Sequence, residues 1–221
     1  SFLDRTKDFF PFASEMDFEI HTSNSFPHSS GIASSASGMS ALALCMMSVK
    51  KDQGLPIDNF FEEASNAARL GSGSGSRSLF GPLAAWGEHA EIEGSSNEYA
   101  VAFSDVDPVF KSFQDTILLI DKGEKTVSST VGHGLMNGHP YAATRFEQAH
   151  ENQSALLTAM LEGDLETFGA IVESEALTLH GMMMTSMPYF ILMKPNTLEV
   201  LNRIWAYREE TGHPVYFTLD A

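Results

Sequence analysis

Apolar positions recur at changing spacings along this 221-residue chain, and each change of spacing marks a new element. FEIHTSNSF, residues 18–26, alternates apolar and polar side chains and predicts a strand. The next segment opens with Pro27 and small polar residues, then turns rich in Met, Leu and Ala. That predicts a helix over 33–50. GLP at 54–56 breaks it. IDNFFEEASNAARL puts Phe60, Phe61, Ala64, Ala67, Ala68 and Leu70 at helical spacing, with Asp58 as N-cap. After a Gly/Ser run a further helix is expected over 77–86, and EYAVAFS at 98–104 has strand character.

The texture changes near residue 112. FQDTILLIDK reads as a buried strand, and HPYAATRFEQAHENQSALLTAMLEGD and LETFGAIVESEALTLHGMMM carry apolar residues three or four apart. TLEVLNRIWAYREETG is another helix, closed by Gly212, and PVYFTLDA is a last strand. The second half thus reads strand, helix, helix, helix, strand: an α+β layer with helices on a sheet. Met182 to Met184 are assigned to core packing. No internal repeat or low-complexity tail is visible.

Composition narrows the function classes. A hydrophobic content of 43% is enough for one large or two small cores. No apolar run reaches the ~18–20 residues of a membrane-spanning helix, and no secretory leader is visible, so a soluble cytoplasmic protein is expected. The single cysteine, Cys45, excludes an internal disulfide; among Leu44, Met46 and Met47 it reads as a small buried apolar residue. The histidines are scattered, without zinc-site spacing. A net charge of −16 argues against nucleic acid or an anionic membrane as partner. It also isolates two cations, because Arg69 and Arg77 are the only basic side chains between Lys51 and Lys111.

Arg77 lies inside LGSGSGSRSLFGPLAAW, residues 70–86. This Gly/Ser alternation could be a tether, yet both flanks are amphipathic. Alternating glycines let successive N–H groups converge on an anion, Ser72, Ser74, Ser76 and Ser78 add hydroxyls, and Arg77 adds a planar fork for carboxylate or phosphate. An anion site is the better reading. SSGIASSASG, residues 29–38, leads into a helix whose N-terminus suits a phosphate, but it matches neither common nucleotide loop. A Ser-capped helix start explains the same residues equally well. KTVSSTVGHG at 125–134 is a second Ser/Thr/Gly cluster, weak by itself. Asp220 ends an apolar strand pattern, where a carboxylate is a cap or a functional group; taken alone, the cap reading prevails.

Taken in order, FPHSSGIASSASGMSALAL, GSGSGSRSLFG, VSST and YFTLDA resemble the diphosphomevalonate decarboxylases of the GHMP kinase superfamily, and the texture is closest to bacterial members. The resemblance runs over essentially the whole chain, and the serine-glycine run ending in Arg77-Ser78 is its most specific part. It implies a two-domain GHMP kinase fold, with residues 1–111 as an incomplete N-terminal domain and 112–221 as the C-terminal domain, whose sheet it implies to be antiparallel. It implies an enzyme that uses ATP and Mg2+ to phosphorylate the tertiary hydroxyl of mevalonate diphosphate, then expels phosphate and carbon dioxide to give isopentenyl diphosphate.

Carried over by position, Ser29, Ser30, Gly31, Ala33, Ser34 and Ser35 would meet the ATP phosphates. Ser72 and Ser74 would surround the substrate diphosphate, and Arg77 the substrate carboxylate. Ser128 or Ser129 would touch phosphate from the second half, and Asp220 would lie beside the tertiary hydroxyl as base or orienting group. No metal-ligating side chain is implied, and a homodimer is. A Lys-Tyr-Trp-Gly-Lys-like segment before these motifs and a Gly-Pro-Asn loop after them, both usual in the family, are missing. The chain therefore reads as an interior piece that would have little activity by itself. A superfamily kinase that stops at the phosphate ester, or an inactive homologue, are the alternatives.

Overall fold

The structure is a computed structural model and describes residues 2–26, 33–120 and 134–219. It forms two compact units, the first holding described residues up to Ser104 and the second those from Asp105 onward.

In the first unit, α1 (Phe2–Arg5) and a 3-10 turn (Pro11–Ser14) precede the long helix α2 (Ser34–Asp52) and then α3 (Phe60–Gly71). Ala64, Ala67 and Ala68 are fully buried on one face of α3. Alanines there let the two helices approach closely, and Ala43, Met46 and Met47 of α2 fill the interface with Phe10 and Phe12. A 3-10 run (Gly73–Leu79) continues from α3 into β1 (Ala84–Trp86), which pairs antiparallel with β2 (Ala100–Ala102), Ala85 opposite Val101.

Several expectations in this unit are corrected. Residues 18–26 form no strand and are largely exposed, Ile20 included. Alternation is necessary for a half-buried strand, but the segment has no ladder partner among the described residues. The helix expected over 77–86 is a 3-10 turn followed by β1, because Gly and Ser are poor helix formers and Gly81-Pro82 stops the turn. The N-cap of α3 is Asn59 rather than Asp58: its side chain accepts from the N–H groups of Phe61 and Glu62, while the Asp58 N–H donates to Glu63. Cys45 is exposed, because the buried stripe of α2 runs through Ala36, Ser40, Ala43 and Met47 and residue 45 falls on the other side.

The second unit contains a 3-10 turn (Pro108–Ser112) and three helices, α4 (Ala142–Glu162), α5 (Leu165–Thr185) and α6 (Pro195–Thr211). The helical spacing read from the sequence holds for all three, and Gly212 caps α6 in the left-handed region at φ 68°. Arg145 of α4 forms a bidentate pair with Glu175 of α5. Ala176 of α5, Leu201 of α6 and Phe217 form one small core.

The α+β reading holds, with its sheet small and in the first unit. The sheet expected in the second half is not found among the described residues. Residues 113–120 form no strand, and Ile117 and Leu118 are more than half exposed; residues 121 and 122 lie outside the description. Residues 212–219 are likewise unpaired, although Phe217 is buried. An apolar run specifies burial; a ladder also needs a neighbouring strand. Met182 is buried as expected, but Met184 is not, since consecutive helical residues cannot share one face.

Candidate functional site

Helix α2 starts from Ala33, held in the left-handed region at φ 50° with no side-chain cap among the described residues. A non-glycine residue there is strained, which is a local cost more often found at functional sites than in ordinary caps. The Ser-capped start is therefore not the geometry adopted. An uncapped helix N-terminus presents donors to an anion. Ser35 is exposed beside it, and its hydroxyl lies 3.3 Å from the Ser72 hydroxyl at the end of α3. The structure thus brings together the first two Ser-rich motifs at one end of the α2–α3 pair.

The Gly/Ser run is no tether. It is an ordered 3-10 turn seven residues long, where runs beyond ~3–4 residues are uncommon. Its inner side, Gly75 and Ser76, is buried; its outer side, Arg77 and Ser78, is exposed. A Cβ at Gly75 would lie 3.3 Å from both the Ala36 and Ala68 carbonyl oxygens, a tight fit, so glycine lets the turn sit between α2 and α3 without displacing either backbone. Residues three apart are eclipsed in this geometry, which stacks Ser74 and Arg77 on one side. Arg77 makes no side-chain hydrogen bond or ion pair among the described residues. Arg69 differs sharply: its Nε donates to the Glu98 carbonyl at 2.7 Å and its Nη2 to Asn66 at 2.8 Å. One of the two isolated cations is spent on structure, and the other has no partner among the described residues.

Ser29, Ser30, Gly31, Ser128, Ser129 and Asp220 lie outside the described residues. Ala33, Ser34, Ser35, Ser72, Ser74 and Arg77 are described, all within the first unit. An open apolar groove lined by Leu55, Ile57, Phe60 and Phe61 lies at the opposite end of α2 and α3 and uses none of them. Sequence reasoning missed Ser40 and Ser65, two hydroxyls buried against the turn. The available signal was a polar residue standing in an apolar helical stripe.

No group of three or more His, Cys, Asp or Glu that could hold a metal occurs among the described residues. No helix among the described residues is long and apolar enough to cross a membrane.

Residues 1–99 match the diphosphomevalonate decarboxylase-like N-terminal domain. The diphosphomevalonate decarboxylase of Eremothecium gossypii is 29% identical over 217 residues, covering 96% of this chain. The chain spans about half, 52%, of that relative's length. The mevalonate diphosphate decarboxylase of Legionella pneumophila superimposes with a TM-score of 0.77 at 29% identity, over 99% of this chain and 65% of its own. A structure described as MDDEF in complex with MVAPP, AMPPCP and magnesium superimposes with a TM-score of 0.68 at 28% identity, over 89% of this chain and 57% of its own. The chain thus resembles the diphosphomevalonate decarboxylases over nearly its whole length, and its residues 1–99 match the diphosphomevalonate decarboxylase-like N-terminal domain.

Proposed function

We propose that the full-length protein is an ATP-dependent decarboxylase that converts mevalonate diphosphate to isopentenyl diphosphate. Its tertiary hydroxyl is phosphorylated first, and phosphate and carbon dioxide then leave together. The observation that carries this reading is Arg77, a guanidinium without a partner among the described residues, on the outer side of a turn whose inner side is locked. Departure of phosphate builds positive charge on the tertiary carbon, and the carboxylate electrons then form the double bond. Arg77 holds that carboxylate in line through two parallel hydrogen bonds, a geometry a lysine cannot supply. Ser72 and Ser74 meet the substrate diphosphate. Residues 29–35 at the start of α2, and Ser128 or Ser129, meet phosphate groups. Asp220 orients or deprotonates the tertiary hydroxyl.

ATP would supply the phosphoryl group and Mg2+ would offset the charge of its phosphates; a structure similar to this chain is in complex with AMPPCP and magnesium, and the N-terminus of α2, without a side-chain cap among the described residues, suits such an anion. Residues 1–111 and 112–221 act as the partial N-terminal and the C-terminal domain. A cytoplasmic homodimer follows from the resemblance.

The test is product analysis of the full-length gene product with mevalonate diphosphate, ATP and Mg2+. Carbon dioxide release in step with ADP is the expected result. Accumulation of a stable phosphate ester would make it a kinase, and no ADP formation would make it an inactive homologue. In Asp220→Asn the phosphoryl step is lost.

A further inference from the structure

Ser40 and Ser65 stand on the buried faces of α2 and α3 and are 4% and 0% exposed. A hydroxyl in such a place must find partners or destabilise the fold. The Ser40 hydroxyl lies 2.7 Å from the Ala36 carbonyl of its own helix and 2.7 Å from the Gly75 carbonyl of the 3-10 turn. A helical serine ordinarily needs only the first of these. Ser65 donates to the Ser76 carbonyl at 2.9 Å and accepts from the Ala100 N–H at 2.8 Å, tying α3, the turn and β2 together. The two carbonyls held this way belong to the residues immediately before Arg77. The peptide that carries the guanidinium is therefore pinned from two helices, while the side chain itself is exposed.

We infer that Ser40 and Ser65 are positioning residues for Arg77: their buried hydroxyls fix the Gly75 and Ser76 carbonyls and thereby aim the guanidinium at its ligand. This rests on the proposed reading of Arg77 as the carboxylate-binding group. Gly75 completes the device, because its lack of a side chain brings the turn within reach of Ser40. A guanidinium on a loose Gly/Ser loop would sample many directions, and a misplacement of about 1 Å can cost on the order of 100-fold in rate. Neutral hydroxyls suit the task, since a buried charge beside Arg77 would compete with its ligand or repel it.

The experiment is a double-mutant cycle in the full-length protein, assayed well below the melting temperature of every variant. Ser65→Ala is expected to lower kcat/KM for mevalonate diphosphate by about 10- to 100-fold, leaving KM for ATP unchanged. In an Arg77→Ala background the same substitution is expected to change kcat/KM by less than about twofold, because a residue acting through Arg77 has nothing left to position. A loss of equal size with and without Arg77, or a folded Ser65→Ala within about twofold of wild type, overturns the inference. If Ser65→Ala does not fold, Ser40→Ala carries the test, since the Ala36 carbonyl keeps its helical partner.

Amide exchange supplies a readout independent of activity. Residues 73–79 are expected to exchange at least about tenfold faster in either serine variant while the middle of α3 is unchanged. Unchanged exchange across the turn overturns the clamp. If the wild-type protein does not turn over mevalonate diphosphate, the proposed function fails, and the clamp is then decided by exchange alone.

Discussion

Arg77 in the first unit and Arg208 in the second are both carried close to a helix end, yet they are built in opposite ways. Arg77 follows two pinned carbonyls, and its guanidinium has no partner among the described residues. Arg208 has a fully engaged guanidinium: it reaches both carboxylate oxygens of Glu173, at 2.7 and 3.2 Å, and donates to the Val215 carbonyl at 3.0 Å. It also lies 4.9 Å from the centre of the Tyr216 ring. The Glu173 hydrogen bonds are the main influence holding its proton more tightly than usual, against the opposing pull of burial. Burial lifts the Tyr216 hydroxyl above its ordinary value; Arg208 works against that, and Glu166, Glu173 and Asp164 add to it. Trp205 completes the cluster by donating to Glu173 at 3.0 Å. A spent arginine stabilises a fold; a free one on a rigid support is available for chemistry.

The contrast breaks if the two arginines respond alike to removal. Arg77→Ala is expected to give the largest effect, a fall in kcat/KM of about 100- to 1,000-fold, the range for deleting one charge-stabilising donor. Its thermal stability should stay within about 0.5 kcal/mol of wild type, because the side chain is exposed and unpartnered among the described residues. Steady-state kinetics beside a denaturant titration read both halves. Arg208→Ala should reverse the pattern and cost about 2 kcal/mol of stability. That lies below the ~3–5 expected for a fully buried pair, because the Arg208 side chain is 30% exposed.

A subtler substitution sharpens the picture of the second unit. A Cβ at Gly169 of α5 would run into the Tyr216 ring. Gly169→Ala should therefore displace Tyr216 from Arg208 and destabilise by about 1–3 kcal/mol, although alanine is the better helix former. A gain in melting temperature would show that the ring has room to move.

The smallest effect concerns acid. Burial works against the charged Glu63 carboxylate of α3, but the Lys50 hydrogen bond at 2.6 Å, the Asp58 N–H and the Lys50 charge outweigh it. Its carboxyl is held below the ordinary 4.5. A depressed carboxylate contributes stability above its unfolded value and loses it as pH falls through the folded one. The first unit should therefore weaken as pH drops below about 4.5, by less than about 1 kcal/mol. In Lys50→Met that part of the pH dependence should shrink, as followed by unfolding across the acid range.

Much of the helical frame was legible from sequence. The 3.6-residue spacing of Ala64, Ala67 and Ala68 and of the segments around 142–162, 165–185 and 195–211 is a local property, and local periodicity predicted each helix. The strand at 98–104 was read correctly and holds β2, whereas 18–26, 113–120 and 212–219 carry the apolar content of strands without a partner among the described residues. Nothing in a single segment encodes its neighbour. Arg77 was legible as an isolated cation in a Gly/Ser run. Ser40 and Ser65 were not, because their importance lies in carbonyls 35 and 11 residues away.

The sequence by itself determined the long helices of both units, the acidity that isolates Arg69 and Arg77, and the motifs that carry the family likeness. These depend on residue type and short-range spacing. The tertiary structure alone decided which of the two cations is spent and which has no partner among the described residues. It also decided that the Gly/Ser run is a pinned 3-10 turn rather than a tether. Both outcomes turn on hydrogen bonds to distant backbone groups, and such partners exist only after α2, α3 and β2 have packed.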